Sequence, residues 1–114
     1  MLRFRMTRAA REILLALAEH DPAVGSYGNE LARETGLAVG TVYPLLTRLQ
    51  GAGVIYATWE DVDPRVVGRP AIRYWRFTAE GAEFAEADRQ AQLARLQRAR
   101  VARPGRPAWD GGST

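Results

Sequence analysis

The stretch GTVYPLLTRLQGAGVI, residues 40–55, contains a change of period. Val42, Leu45, Leu46 and Leu49 recur at helical spacing and form one apolar face. Gly51-Ala52-Gly53 then interrupts the pattern. The next residues, Val54-Ile55-Tyr56-Ala57-Thr58-Trp59, are β-branched and aromatic, and read as a strand. A helix from Thr41 to Gln50 therefore runs almost directly into extended chain. Pro44 limits where that helix begins, because proline has no N–H and suits only a first turn. With Thr41 as the N-cap, Pro44 takes the third helical position, where an N–H would be unpaired in any case.

On the N-terminal side, Thr7 to Glu19 reads as a helix capped by Thr7, with Ala10, Ile13, Leu14 and Leu17 as its apolar stripe. Asp21-Pro22 ends it, and Ala23 to Ser26 reads as a loop. Tyr27 to Thr35 is a second, short helix with Leu31 and Ala32 turned inward and Gly36 as its C-terminal cap. Leu37 to Gly40 is a four-residue turn leading into the third helix.

On the C-terminal side, Glu60 to Pro70 is charged and carries Pro64, Gly68 and Pro70, which marks a long loop. Ala71 to Thr78 is a second strand, with Arg73, Trp75 and Phe77 on one face and Ile72, Tyr74 and Arg76 on the other. Thr78 caps a last helix that runs to about Ala102 and is stopped by Pro104, and the tail from Pro104 to Thr114 reads as disordered. There is no internal repeat.

The order is helix, helix, tight turn, helix, two-stranded hairpin, helix. The expected fold is mainly α with a small β-hairpin (α+β): a winged helix-turn-helix over residues 1–78, a C-terminal dimerisation helix over 79–103, and a tail over 104–114.

The totals exclude several function classes. The 114 residues suit one domain, and no apolar run is long enough to span a membrane. The basic start Met1 to Arg5 lacks the apolar block of a signal peptide, so a cytoplasmic protein with no membrane partner is expected. With no cysteine there is no disulfide, thiolate metal site or cysteine nucleophile. The one histidine, His20, beside the Asp-Pro stop, reads as a surface residue. No catalytic set, metal site or cofactor site is expected.

The net charge of +3 is unevenly spread. Residues 1–11 hold four arginines and no acid, residues 89–106 hold six and no acid, and the middle is acidic. All sixteen cations are arginine, the residue suited to bidentate phosphate and guanine contacts. Solvated helix faces are the plainer account of such runs.

A helix fits the major groove of B-DNA, with its N-terminal residues at the base edges and its free N–H groups toward phosphate. Here that end is Val39, Gly40, Thr41, Tyr43 and Pro44, with Arg48 a turn further on and within reach of the backbone. Tyr43 reads equally well as a half-buried aromatic with its hydroxyl in water. Trp75 and Phe77 read as the inner face anchoring the hairpin. Arg73 belongs to the candidate DNA set, but Arg73 and Arg76 are also placed to form salt bridges with Glu60, Asp61 or Asp63 across the hairpin.

Residues 40–55, together with TWEDVDPRVVGRPAIRYWRFTAEGAEF (58–84), resemble the PadR-type transcriptional regulators. The resemblance covers about residues 10 to 88. It lies in the Gly-Thr-x-Tyr-Pro-Leu-Leu helix and in the wing built from Trp59-Glu60, Gly68-Arg69-Pro70, an aromatic pair and Thr-x-x-Gly. It implies a dimeric, mostly repressing, bacterial DNA-binding protein. The third helix would enter the major groove, and Gly68, Arg69 and Pro70 would reach the flanking backbone or minor groove. The chain has only one C-terminal helix, which places the resemblance in the short-tailed branch. There that helix pairs with its mate, here through Phe84, Ala87, Ala91, Leu93, Ala94 and Leu96. Some relatives bind drugs through an interface tryptophan. Trp59, Trp75 and Trp109 all lie off the last helix, so that activity is not carried over and any small-molecule effector is left unassigned. The expected function is a sequence-specific repressor bound as a homodimer to double-stranded DNA. The alternative is a winged-helix protein-interaction module.

Overall fold

A computed structural model describes residues 2–102. The elements are α1 (Arg8–Ala18), β1 (Ser26–Tyr27), α2 (Gly28–Thr35), α3 (Val39–Gly51), β2 (Ile55–Trp59), α4 (Pro64–Val67), β3 (Arg73–Phe77) and α5 (Ala79–Ala102). The expected tail over 104–114 lies outside the described residues.

The first helix begins where its cap predicts: the Thr7 hydroxyl accepts from the Ala10 N–H at 3.2 Å. Its stripe Ala10, Ile13, Leu14 and Leu17 is buried. Leu31 and Ala32 of α2 and Val42, Leu45, Leu46 and Leu49 of α3 complete a three-helix core, closed by Ile55 and Trp75 from the sheet and by Val54 just before β2. Gly36 ends α2 in the left-handed conformation, φ 77°, as a helix-capping glycine does.

Three expectations are corrected. The segment read as a loop running into a helix contains a strand: Ser26–Tyr27 pairs antiparallel with β3, Ser26 opposite Trp75 and Tyr27 opposite Tyr74. The hairpin is therefore a three-stranded sheet of order β1-β3-β2, with α2 starting at Gly28. The third helix begins at Val39, two residues before the expected start, with Ala38 at the N-cap. Pro44 then falls at the sixth helical position, where it has no N–H to give the Gly40 carbonyl. The long loop holds one helical turn, α4, capped by Asp63, whose carboxylate accepts from the Arg65 N–H at 3.0 Å.

The last helix is fastened at its base. The Thr78 hydroxyl donates to the Gly53 carbonyl at 2.6 Å and accepts from the Gly81 N–H at 2.8 Å, so one side chain caps α5 and ties it to the end of α3. Gly81 lies against the Val54 carbonyl so closely that a Cβ there would stand 1.8 Å from the oxygen. Two turns on, Asp88 takes both arms of Arg11 from α1, at 2.7 and 3.0 Å, in a half-buried bidentate pair. Beyond Asp88 most of α5 is exposed, including Leu93 and Leu96.

Candidate nucleic-acid interface

The start of α3 is open to solvent. Val39, Gly40, Thr41, Tyr43 and Pro44 are all exposed, while Val42 and Leu45 between and beyond them are buried. No side chain caps this end, which leaves first-turn N–H groups for an outside acceptor. An exposed, uncapped helix start on a packed α2–α3 scaffold has the form a groove-reading helix needs.

Tyr43 is held rather than free. Its hydroxyl donates to Oδ1 of Asn29 on α2 at 3.0 Å, although 45% of the residue is exposed. Of the two readings of Tyr43, the one that leaves its hydroxyl to water alone is modified: the hydroxyl has a partner on α2. The ring lies over Gly28, the first residue of α2, where a Cβ would come within 2.5 Å of it. The missing side chain of Gly28 thus makes the seat for Tyr43. Arg48 is exposed, with its guanidinium 5.6 Å from the Phe4 ring.

In the wing, Gly68, Arg69 and Pro70 are exposed as expected, but the charges are paired differently. Arg69 holds Glu60 through two contacts of 2.7 and 3.0 Å. Glu60 also accepts the Ile72 N–H at 3.1 Å. Those contacts pull the Glu60 carboxyl below its ordinary range, the Arg69 hydrogen bonds more than the Ile72 one. The alternative reading of Arg73 and Arg76, salt bridges to these acids, is not the one adopted. Arg73 lies over the Trp75 ring at 4.4 Å and reaches Oε1 of Gln50 on α3 at 3.3 Å. The Arg76 Nε donates to the Pro22 carbonyl at 2.9 Å, and its guanidinium covers Tyr56 at 5.5 Å. Register explains the difference. Trp59 is the last residue of β2 in the ladder, opposite Arg73. Glu60 falls just past that end, where the returning chain brings Arg69 rather than Arg73. Trp75 is buried as the inner face requires, and Phe77 is half-buried.

Four features were missed by sequence reasoning. Asn29 and Gln50 act as partners across elements, and nothing local marks them. Arg65 on α4 has a side chain 93% exposed and only a 3.6 Å approach to Asp63, which makes it an extended wing cation. His20 is half-buried and flanked by Glu30 and Glu34 of α2. The i,i+4 spacing of those two glutamates was the available signal. Their engagement with His20 and Ser26 also means that the acids nearest α3 in sequence are not unpaired.

On α5, Ala87, Ala91, Leu93 and Leu96 are exposed, Ala94 is half-buried, and Phe84 packs partly against the core. An apolar groove of about 320 Å³ runs between α1, the end of β3 and the start of α5, lined by Met6, Leu14, Leu15, Phe77, Ala82 and Ala85 among others. Among the described residues no helix is long and apolar enough to cross a membrane.

Comparison with known proteins agrees with this architecture. Residues 8–58 match the IclR helix-turn-helix domain. A point mutant of MepR from S. aureus superposes with a TM-score of 0.68 at 21% identity, over 85% of this chain and 65% of that one. A PadR family transcription regulator from Clostridium difficile R20291 gives 0.65 at 23% identity, over 80% of this chain and 93% of that one. Lactococcus lactis ZitR, solved in complex with DNA, gives 0.56 at 19% identity, over 83% and 60%. The chain thus spans less than two thirds of the MepR and ZitR chains. No curated protein matches the sequence. The fold is that of the winged helix-turn-helix transcription regulators.

Proposed function

We propose that the protein is a sequence-specific double-stranded DNA-binding transcriptional regulator of the PadR type, a repressor that acts as a homodimer on a pseudo-palindromic operator. The observation that carries this reading is the exposed, uncapped start of α3, with Tyr43 fixed by Asn29. Val39, Gly40 and Thr41 let the helix approach closely, and Tyr43, Thr41 and Arg48 supply the polar contacts. The flanking wing offers Arg65 and Arg73, with Gly68, Arg69 and Pro70 at the turn, for backbone or minor-groove contact. The likeness to a PadR family regulator over 93% of that protein's length, and to a regulator solved with DNA, supports the same reading.

The second copy is assigned to the unpaired face of α5 and the neighbouring groove. Leu93 and Leu96 are large apolar residues left in solvent on a helix that extends past its own core. A two-fold pair would bury them and set two α3 helices at a fixed separation.

The test is selection from a random duplex pool at about 150 mM salt, which damps bare phosphate attraction. Enrichment of an inverted repeat, with half-sites about 10 bp apart or a multiple of that, is the expected result. Weak, unselective, salt-sensitive binding alone would overturn it. A protein-interaction module is the second reading. It is favoured by one observation: the wing exposes Trp59 and Val66, by 65% and 80%.

A further inference from the structure

His20 follows the end of α1, and its ring lies over two glutamates one turn apart on α2. Nε2 is 2.9 and 3.0 Å from the two carboxylate oxygens of Glu34. Nδ1 is 3.8 Å from Glu30, beyond hydrogen-bond length. One ligand atom from each of the three residues lies within 4.8 Å of the others. Two carboxylates at i,i+4 repel each other, and a single imidazole N–H satisfies only one of them. The second carboxylate is oriented from outside the group. Ser26, a fully buried serine on β1, donates its hydroxyl to Glu30 Oε1 at 2.6 Å. A buried hydroxyl that aims a carboxylate is the kind of outer support that metal ligands carry.

We infer that His20, Glu30 and Glu34 form a binding site for a divalent transition-metal cation of the Zn²⁺ type, clamping the end of α1 to α2. One imidazole nitrogen and two carboxylate oxygens are donors of intermediate softness and fall short of the six or more oxygens that Ca²⁺ prefers. Three protein ligands with a fourth position open to water is a common zinc arrangement. At metal–ligand distances near 2.0–2.1 Å, neighbouring tetrahedral ligands stand about 3.3 Å apart. The Nε2–Glu34 pair is already within a few tenths of an ångström of that, so the cation takes the place of the bridging proton. Glu30 offers it Oε2, while Oε1 stays on the Ser26 hydroxyl. The site ties down the helix whose Asn29 holds Tyr43, so occupancy stiffens the support of the α3 start.

The test needs no DNA, so its outcome is separate from that of the function proposed above. Zinc chloride is titrated by calorimetry into the untagged full-length protein, with thermal unfolding followed in parallel. The expected result is one saturable site per chain and a zinc-dependent rise in the unfolding midpoint. His20→Gln and Glu34→Gln each weaken uptake at least tenfold while keeping the metal-free midpoint close to that of the wild type. Ser26→Ala, which leaves every ligand in place, weakens it about tenfold, as loss of an outer-shell partner does. Magnesium chloride at the same concentration gives neither heat nor shift. Absence of saturable zinc binding overturns the assignment. So does equal affinity in His20→Gln and Glu34→Gln, which would put the zinc elsewhere on the chain. Magnesium uptake matching that of zinc would overturn the cation type.

Discussion

Arg69 and Glu60 lock the base of the wing together: the guanidinium takes both carboxylate oxygens, and the same carboxylate receives the Ile72 N–H. The exposed arginine at the Gly-Pro turn therefore already has an anion, and a DNA phosphate must compete with it. Glu60→Gln should release Arg69, tighten binding to any duplex sequence and steepen the salt dependence by about one unit of slope. Affinity measured at several salt concentrations checks this, and weaker binding would mean that the pair serves the shape of the wing.

Arg65 has no such partner of comparable quality. Arg65→Ala should lower the salt slope by about one unit with thermal stability unchanged, since its side chain is almost wholly in solvent. An unchanged slope would remove α4 from the interface.

Gly28→Ala tests the seat of Tyr43. The new methyl group would fall within 2.5 Å of the ring and push it off Asn29. Because the clash is with a side chain that can move, stability should drop only modestly, while specific DNA binding drops more than non-specific binding. Tyr43→Phe, which keeps the ring and loses the bond to Asn29, should show a weaker form of the same split. Equal loss on specific and non-specific duplexes would show that Tyr43 does not read sequence.

Two interior changes should act on stability. Leu46→Ala removes a fully buried side chain and should cost about 2–5 kcal/mol by chemical denaturation. Gly81→Ala meets backbone rather than a flexible side chain, at the Val54 carbonyl. It should cost about 1–3 kcal/mol or more and loosen the base of α5, visible as faster amide exchange from Ala82 to Asp88.

Acid should act through two depressed carboxyls. Glu60 is lowered chiefly by Arg69, and Glu86 is lowered to about 2 by Arg89 and then Gln90. A group whose folded value lies below its unfolded one stabilises the fold above the ordinary glutamate range, near 4.3, and loses that contribution as pH falls through the folded value. The losses therefore fall on the acid side of about pH 4, reaching about pH 2 for Glu86. A Glu60→Gln, Glu86→Gln double variant should show a flatter decline of stability over that window than the wild type.

The helical stripes of α1 and α3, the Thr7 and Thr78 caps and the Gly36 stop were legible because each is local: period, cap and terminator lie within one element. Ser26–Tyr27 was not, because two residues carry no alternation and their strand character comes from Trp75 and Tyr74, some fifty residues away. The start of α3 was misplaced because Thr41 is the better capping residue, yet a solvent-facing helix end does not need a side-chain cap. The exposed set at α3 and the wing turn was readable from residue type. Its pairings were not. Tyr43 with Asn29, Arg69 with Glu60 and His20 with Glu34 each depend on where separate elements meet.

The fastening of α5 also has a mechanical consequence. Thr78, Gly81 and the Arg11–Asp88 pair grip only its first turns, and the rest is a rod. Twenty-four helical residues span about 36 Å. The fourteen residues beyond Asp88 span about 21 Å, so a pivot of about 10° at the grip sweeps the far end through roughly 4 Å, about one base-pair step of 3.4 Å. In the proposed dimer this makes the base of α5 a gearing point, and small adjustments in the α1–α5 groove set the span between two reading heads.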